Sequence, residues 1–265
     1  MAPREHLDPS ELGTQEYWDT LYAREISNHS ASADDEGTIW FSDADAEEKV
    51  LDYLEQLSDE GELCKFSSDD GPVQTSFLDL GTGNGHMLFA LREAGWMGRM
   101  VGVDYSSASV DLARRVKQQR AKESRVKESE GEEDGEGEAV SYEGIEFVTW
   151  DILKEAPGEW LEEGKGRGKG FDVVLDKGTF DAISLSSEVD SQGWRICEGY
   201  RERLESLVRS RGLFLVTSCN WTGDELENWF ETPDGSLHVK DHVRYPSFTF
   251  GGQSGQKVAT VCFEK

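Results

Sequence analysis

Apolar residues in this chain follow two rhythms that take turns. Short, mostly apolar runs predict buried strands: Phe77-Leu78-Asp79-Leu80, Met100-Val101-Gly102-Val103-Asp104, Ile145 to Trp150, Phe171 to Asp176 and Leu213 to Thr217. Between them apolar residues return every three or four positions. That spacing predicts a helix leaving the glycines at 81–85, another from Ser106 through Val110, Ala113 and Val116, and a third over roughly 198–210. Upstream, Trp18, Leu21, Tyr22 and Ile26 share one helical face between Thr14 and Ile26. Val50, Leu51, Leu54 and Leu57 share another behind an N-cap at Ser42. The segment from Phe248 to Phe263 predicts a closing hairpin about Gly251-Gly252-Gln253-Ser254-Gly255. Strands that alternate with helices specify an α/β protein. Its expected core is a doubly wound, mainly parallel sheet with helices on both faces and antiparallel hairpin strands at one edge.

The rhythm fails in two places. Residues 122–144 are rich in Glu, Gly and Ser and bury too little apolar surface to offset the entropy of ordering, so they are expected to form a disordered acidic insertion. Residues 164–170, with four glycines, predict a smaller flexible loop. Neither divides the chain, because the alternation resumes after each. The expected organisation is an N-terminal helical segment over 1–60, frayed over 1–10 and packed on or capping the core, followed by one domain over 61–265.

Composition narrows the partners. The 265 residues carry a formal net charge of -27. The tract at 128–138 holds only seven of the 54 acids, so the acidity belongs to the folded body too. Such a surface repels phosphate backbones, and no nucleic-acid partner is expected. A basic protein or a small molecule suits it better. Cys64, Cys197, Cys219 and Cys262 lack the spacing of a metal site or disulfide framework, so no metal is expected. No apolar run approaches a membrane span, and the first residues lack the apolar core of a signal peptide. The expectation is a reduced, intracellular protein away from membranes, and a monomer.

The candidate chemistry lies at the strand ends. Asp79-x-Gly81-x-Gly83-x-Gly85 forms a strand-to-helix turn where the backbone can approach a ligand and the helix N-terminus faces it. The second, third and fourth strands end in Asp104, Asp151 and Asp176, so four carboxylates are expected around one crevice. A dinucleotide fingerprint is incomplete here, since His86 stands where the third glycine belongs, and the acids would repel a pyrophosphate. A cofactor with hydroxyls, an amine and a cationic centre fits better, and S-adenosyl-L-methionine has all three. In this reading Asp104 accepts the ribose hydroxyls, Tyr105 packs on adenine, and Asp151 with the Ile152 N–H reads the adenine edge. Asp79 and Asp176 orient the methionine end beside the turn Gly81, Thr82, Gly83 and Gly85.

These residues resemble the seven-strand, class I methyltransferases. More closely, Tyr17-Trp18-Asp19, Ile39-Trp40-Phe41, the block from Leu78 to Gly85, Asp176-Lys177-Gly178-Thr179-Phe180-Asp181-Ala182-Ile183 and Thr217-Ser218-Cys219-Asn220-Trp221-Thr222 are similar to the protein-lysine methyltransferases of translation elongation factor 1A. The resemblance runs from about residue 13 to 230, outside the insertion. It implies a seven-stranded Rossmann-like methyltransferase fold and a cytoplasmic enzyme that methylates a lysine of a basic protein, elongation factor 1A. The acidic insertion and the long C-terminal hairpin depart from the family core.

Methyl transfer to lysine needs alignment of nucleophile, methyl and sulfur. It also needs an uncharged amine, which apolar burial favours. Trp40, Phe41, Phe180 and Trp221 are candidate walls of the lysine channel, Asn220 a candidate acceptor for the amine, and Asp176 the candidate catalytic carboxylate. Asp176-Lys177-Gly178-Thr179 stands where amide and adenine methyltransferases carry an Asn/Asp-Pro-Pro-aromatic tetrad, which argues against that class. A small-molecule methyltransferase and a non-catalytic cofactor-binding partner protein stay open as alternatives.

Overall fold

The strand-forming runs meet in one sheet of seven. In this computed structural model, which describes residues 6–66, 73–130, 140–161, 163–164, 168–246, 248–250 and 253–265, the strands are β1 (Phe77–Leu80), β2 (Met100–Asp104), β3 (Ile145–Thr149), β4 (Phe171–Lys177), β5 (Val208–Ser218), β6 (His238–Val243) and β7 (Ala259–Glu264). Their order across the sheet is β3-β2-β1-β4-β5-β7-β6. The first five are mutually parallel, and β7 runs antiparallel to both β5 and β6. The expected doubly wound sheet with an antiparallel edge is therefore present.

The helices divide between the two faces. α1 (Gln15–Ala31), α2 (Ala46–Asp59), α3 (His86–Glu93) and α4 (Ser107–Glu130) pack on one side. α5 (Thr179–Ser184), α6 (Tyr200–Glu205) and α7 (Gly223–Phe230) pack on the other. Alternate strand residues feed the two cores, as the pleat requires. Phe77, Met100, Val173 and Leu215 face α1–α4, whereas Leu78, Val101, Val174 and Phe214 face α5–α7. The second core is an aromatic stack in which Phe180 lies 4.8 Å from Phe230 and 5.2 Å from Trp229, ring centre to ring centre.

Several expected boundaries shift. The helix behind Ser42 begins only at Ala46, because Phe41 and Asp45 both adopt left-handed backbone and a short 3-10 turn, Ser42–Ala44, lies between them. The expected helix over 198–210 is a 3-10 turn, Ile196–Gly199, followed by α6. It stops at Glu205 because Val208 already pairs with Phe171 in the sheet. The edge hairpin starts earlier than expected, at His238. Its first arm alternates polar residues along an exposed edge, so it lacks the apolar run that marks the inner strands. Phe248–Phe250 and Gln253–Gly255 instead form a separate ribbon, with Gly251 and Gly252 outside the described residues.

The disordered insertion expected over 122–144 is corrected at both ends. α4 continues to Glu130, while Tyr142 is buried and the Arg92 guanidinium donates to the Ser141 and Glu143 carbonyls. Residues 131–139 lie outside the described residues. In the glycine-rich stretch, Glu163–Gly164 pairs with Gly168–Lys169, and 165–167 lie outside the described residues. Residues 6–10 are not frayed. The Ser10 N–H donates to the Leu185 carbonyl, and Arg195 reaches the Leu7 carbonyl.

Candidate active site

β1 and β4 are neighbours in the sheet but leave toward opposite faces, and this switch point opens a cleft at the carboxyl ends of the strands. Its floor takes Leu80 and Gly81 from β1, Asp104 and Tyr105 from β2, Asp151 and Ile152 from β3, Lys177 and Thr179 from β4, and Cys219 and Asn220 from β5. Of the expected site residues, Gly81, Asp104, Tyr105, Asp151, Ile152 and Asn220 lie on this floor. The outer wall was missed. Leu12, Gln15, Trp18 and Tyr22, from the first residues and α1, line the same cleft beside Trp40 and Phe41. Trp18 and Tyr22 read by their helical spacing as ordinary core, and only the fold shows that part of that face closes a cleft instead.

The glycine turn is assembled from behind. Thr82 Oγ1 donates to Asp79 Oδ2 at 2.7 Å, and both side chains are buried. Asp104 accepts from the Gly83 N–H (3.2 Å), the Ser106 N–H (2.9 Å) and Ser109 Oγ (2.7 Å), which fixes its carboxylate at the cleft wall. Gly81 has φ +63, and a Cβ there would collide with Thr179 Oγ1. Gly83 has φ +57, and its Cβ would stand 2.9 Å from the Tyr22 hydroxyl. Of the expected turn residues, Gly81 lines the cleft, while Asp79, Thr82, Gly83 and Gly85 hold the turn from beneath. Burial pushes the Asp79 carboxyl up to about 7, opposed by the Thr82 hydroxyl and by Lys177. Burial also pushes Asp104 up to about 6, against its three donors. Asp151 accepts from the Leu153 and Lys154 N–H groups at 2.8 and 3.2 Å, forming a tight turn at the rim.

The far end of the cleft corrects three expectations. Asp176 is 1 % exposed and does not reach the cleft. Its carboxylate accepts from the Thr179 and Phe180 N–H groups (2.8 and 3.1 Å) and from the Tyr200 hydroxyl (2.6 Å), so it anchors α5 rather than facing a substrate. Phe180, also 1 % exposed, is central to the aromatic core. Trp221 is 6 % exposed, stacks on Phe180, and donates from Nε1 to Ser184 Oγ. Phe180 and Ser184 are one helical turn apart and share the inward face of α5, which leaves Asp181, Ala182 and Ile183 to line the cleft.

The carboxylate that does reach this end is Asp181. It accepts from Ser218 Oγ and, at 2.9 Å, from the Cys219 N–H. Burial raises its carboxyl above the ordinary range, and these donors oppose the rise. Asn220, Trp40 and Phe41 stand at the same end. Trp40 packs on Trp18 at 5.2 Å, and its carbonyl accepts from Lys177 Nζ at 3.1 Å. Burial lowers the Lys177 ammonium, while Glu47 and Asp79 pull it back up.

These residues fit S-adenosylmethionine. The cradle at Gly81 has no room for a side chain. Asp104 presents a carboxylate positioned for a hydroxyl pair, and Trp18, Tyr22 and Tyr105 give flat walls for a base. The glycine turn has no basic side chain of the kind that would balance a pyrophosphate. Among the described residues no group of His, Cys, Asp and Glu is placed to hold a metal ion. No helix among them is long and apolar enough to cross a membrane.

Comparison with known proteins places this geometry. A family described as a methyltransferase domain matches residues 73–133, from before β1 to the described end of α4 and slightly beyond. The methyltransferase domain of bacterial CtHen1 superposes with a TM-score of 0.50 at 13% identity, covering 82% of this chain and 98% of that one, a likeness of fold. Protein-lysine N-methyltransferase EFM4 of Saccharomyces cerevisiae is 39% identical over 98% of this chain and 96% of its own length. EEF1A lysine methyltransferase 2 of Homo sapiens is 30% identical over 97% of this chain and 88% of its own. With similarity at that level across the helical N-terminus, the sheet and the hairpin alike, the chain belongs to the family of protein-lysine N-methyltransferases that includes these two enzymes.

Proposed function

We propose that this protein methylates a lysine side chain of translation elongation factor 1A, acting in the cytoplasm as a monomer. Its methyl donor is S-adenosyl-L-methionine, which supplies an electrophilic methyl group on a sulfonium centre. The observation that carries the lysine assignment is the composition of the cleft's far end. An aromatic pair, Trp40 and Phe41, faces a buried carboxylate, Asp181, and an amide, Asn220, next to the glycine cradle.

Each group has a task set by its chemistry. Asp104, held by three donors, accepts the ribose hydroxyls, and Asp151 and Ile152 sit where the base is read. Asp181 attracts the incoming ammonium, and with Asn220 it orients the amine. Neutralising a free lysine at pH 7 costs about 1.36 kcal/mol for each unit below its ordinary pKa near 10.4. Trp40 and Phe41 reduce that cost by stripping water from the side-chain stem, which disfavours the charged form. The family's near full-length similarity supports a protein substrate, and the acidic surface suits a basic one.

The test uses labelled S-adenosylmethionine, the purified protein and a lysate from cells that lack it. Label is expected in a band that mass spectrometry identifies as elongation factor 1A, at a lysine. Label confined to small metabolites would overturn the protein-substrate reading.

A further inference from the structure

We propose that the knuckle from Val189 to Arg195 is a docking post for the substrate protein, with Trp194 as its anchor and a basic, partly apolar segment of the substrate as its occupant. The proposal rests on the reading above that the substrate is a protein. Ser186, Glu188 and Ile196 line the cleft, so the knuckle between them stands on its rim. Its tip exposes two large apolar side chains, Val189 at 56 % and Trp194 at 58 %. Every other tryptophan in the protein is buried or half-buried.

The knuckle is built rather than slack. Val189 bridges Arg195 in antiparallel fashion. Asp190 Oδ1 accepts from the Gln192 N–H at 2.8 Å and the Trp194 N–H at 2.9 Å, and the Asp190 N–H donates to the Trp194 carbonyl at 2.8 Å. The Arg195 guanidinium ties the base to the Ser184 carbonyl at 2.9 Å and to the Leu7 carbonyl at 3.4 Å. A tip locked in this way loses little freedom on binding, so covering Trp194 yields affinity instead of ordering a loop. Exposed tryptophan on a preorganised element is the residue type that anchors protein interfaces.

Charge selects the occupant. Asp190 and Glu188 flank the tip, and the adjoining segment that holds the base carries exposed Asp8 and Glu11. Lys154, 3.6 Å from Glu188, offsets part of this at the inner side, and the Arg195 guanidinium, turned inward onto the Leu7 and Ser184 carbonyls, keeps its charge at the base of the knuckle and not at its tip. The outer rim is left acidic around an apolar centre. A segment with basic residues either side of an apolar one is complementary to it, and the base of the knuckle shares its cleft with Asp181 and Asn220.

The experiment compares full-length wild type, Trp194→Ala, Trp194→Phe and Val189→Ser with unmethylated elongation factor 1A as substrate. It reads kcat and KM together with S-adenosylmethionine binding by calorimetry. Trp194→Ala is expected to raise KM for the protein about 10- to 30-fold while leaving kcat within about twofold. Trp194→Phe recovers most of the loss, Val189→Ser gives a smaller rise in KM, and cofactor affinity stays unchanged in all three. A wild type that methylates elongation factor 1A beside a Trp194→Ala variant with unchanged KM would overturn the docking assignment alone. A wild type that labels no protein would overturn the protein-substrate reading and the post with it. If Trp194→Ala weakens cofactor binding as much as turnover, the residue is structural and the assignment fails.

Discussion

Asp176 and Asp181 lie five positions apart in one motif, yet they have opposite fates. Asp176 ends a strand, and the chain turns so tightly after it that its carboxylate satisfies the first N–H groups of α5 and the Tyr200 hydroxyl. Asp181 sits on the cleft side of the same helix. Two substitutions separate the roles. Asp176→Asn keeps an oxygen for the Thr179 and Phe180 N–H groups but takes the one that accepts from the buried Tyr200 hydroxyl, and should cost about 1–3 kcal/mol of stability, seen as a lower melting temperature. Asp181→Asn also leaves one of two donors, the Ser218 hydroxyl or the Cys219 N–H, without a carboxylate oxygen and should lower melting by a comparable amount, but it alone should also lower kcat, by at least about tenfold when compared at a temperature where both variants are folded. Asp104 gives a third prediction. As a carboxylate it accepts hydroxyls, and when protonated it does so poorly. With its pKa raised to about 6, cofactor affinity should hold above pH 7 and fall about tenfold for each unit below 6. Calorimetry across that range checks the sign. Asp104→Asn should abolish the pH dependence along with most of the affinity.

At the scale of elements, the two sides of the cleft were unequally legible. The floor is local: each strand end carries its own residue, and the spacing of the Asp79-to-Gly85 turn is enough to mark a ligand site. The wall is not local. Leu12, Gln15, Trp18 and Tyr22 reach the cleft only because the N-terminal segment is pinned across the sheet, through Ser10 to Leu185, Trp40 to Lys177 and Glu36 to Arg120. Asp181 was hidden for a similar reason. A strand-end rule favours Asp176, and only the rotation of a six-residue helix turns Phe180 and Trp221 into core and Asp181 into wall. The link from Phe41 to α2 contains the clearest strain in the wall. Phe41 holds φ 64, a left-handed conformation that costs a bulky residue about 1–3 kcal/mol, while its ring packs 3.1 Å from where a Cβ of Gly178 would be. Phe41→Gly relieves the backbone and removes the ring. Its expected result is a melting temperature close to wild type with kcat/KM lowered at least about tenfold, as steady-state kinetics on the protein substrate would show.

Across the whole molecule, the acids act together. Asp79, Asp104 and Asp176 are raised to about 7, 6 and 7, whereas in an unfolded chain each would titrate near 3.9. The folded protein therefore binds more protons than the unfolded one between about pH 4 and 7, and stability falls as pH rises through that window. The net charge of -27 adds self-repulsion in the same direction. The cofactor-free protein should thus melt at a higher temperature at pH 6 than at pH 8. Salt should narrow the gap without closing it, since buried carboxylates are weakly screened. In the proposed function the same acidity draws in a basic protein, and the cleft beneath it aligns one lysine with one methyl donor. The most direct measurement of that claim is the intact mass of purified, unmethylated elongation factor 1A after incubation with S-adenosylmethionine and either wild type or the Asp104→Asn variant. A gain of whole methyl increments with wild type, which peptide mapping assigns to a single lysine, and none with the variant, is the predicted result. An unchanged mass with a wild-type protein that demonstrably binds the cofactor would contradict it.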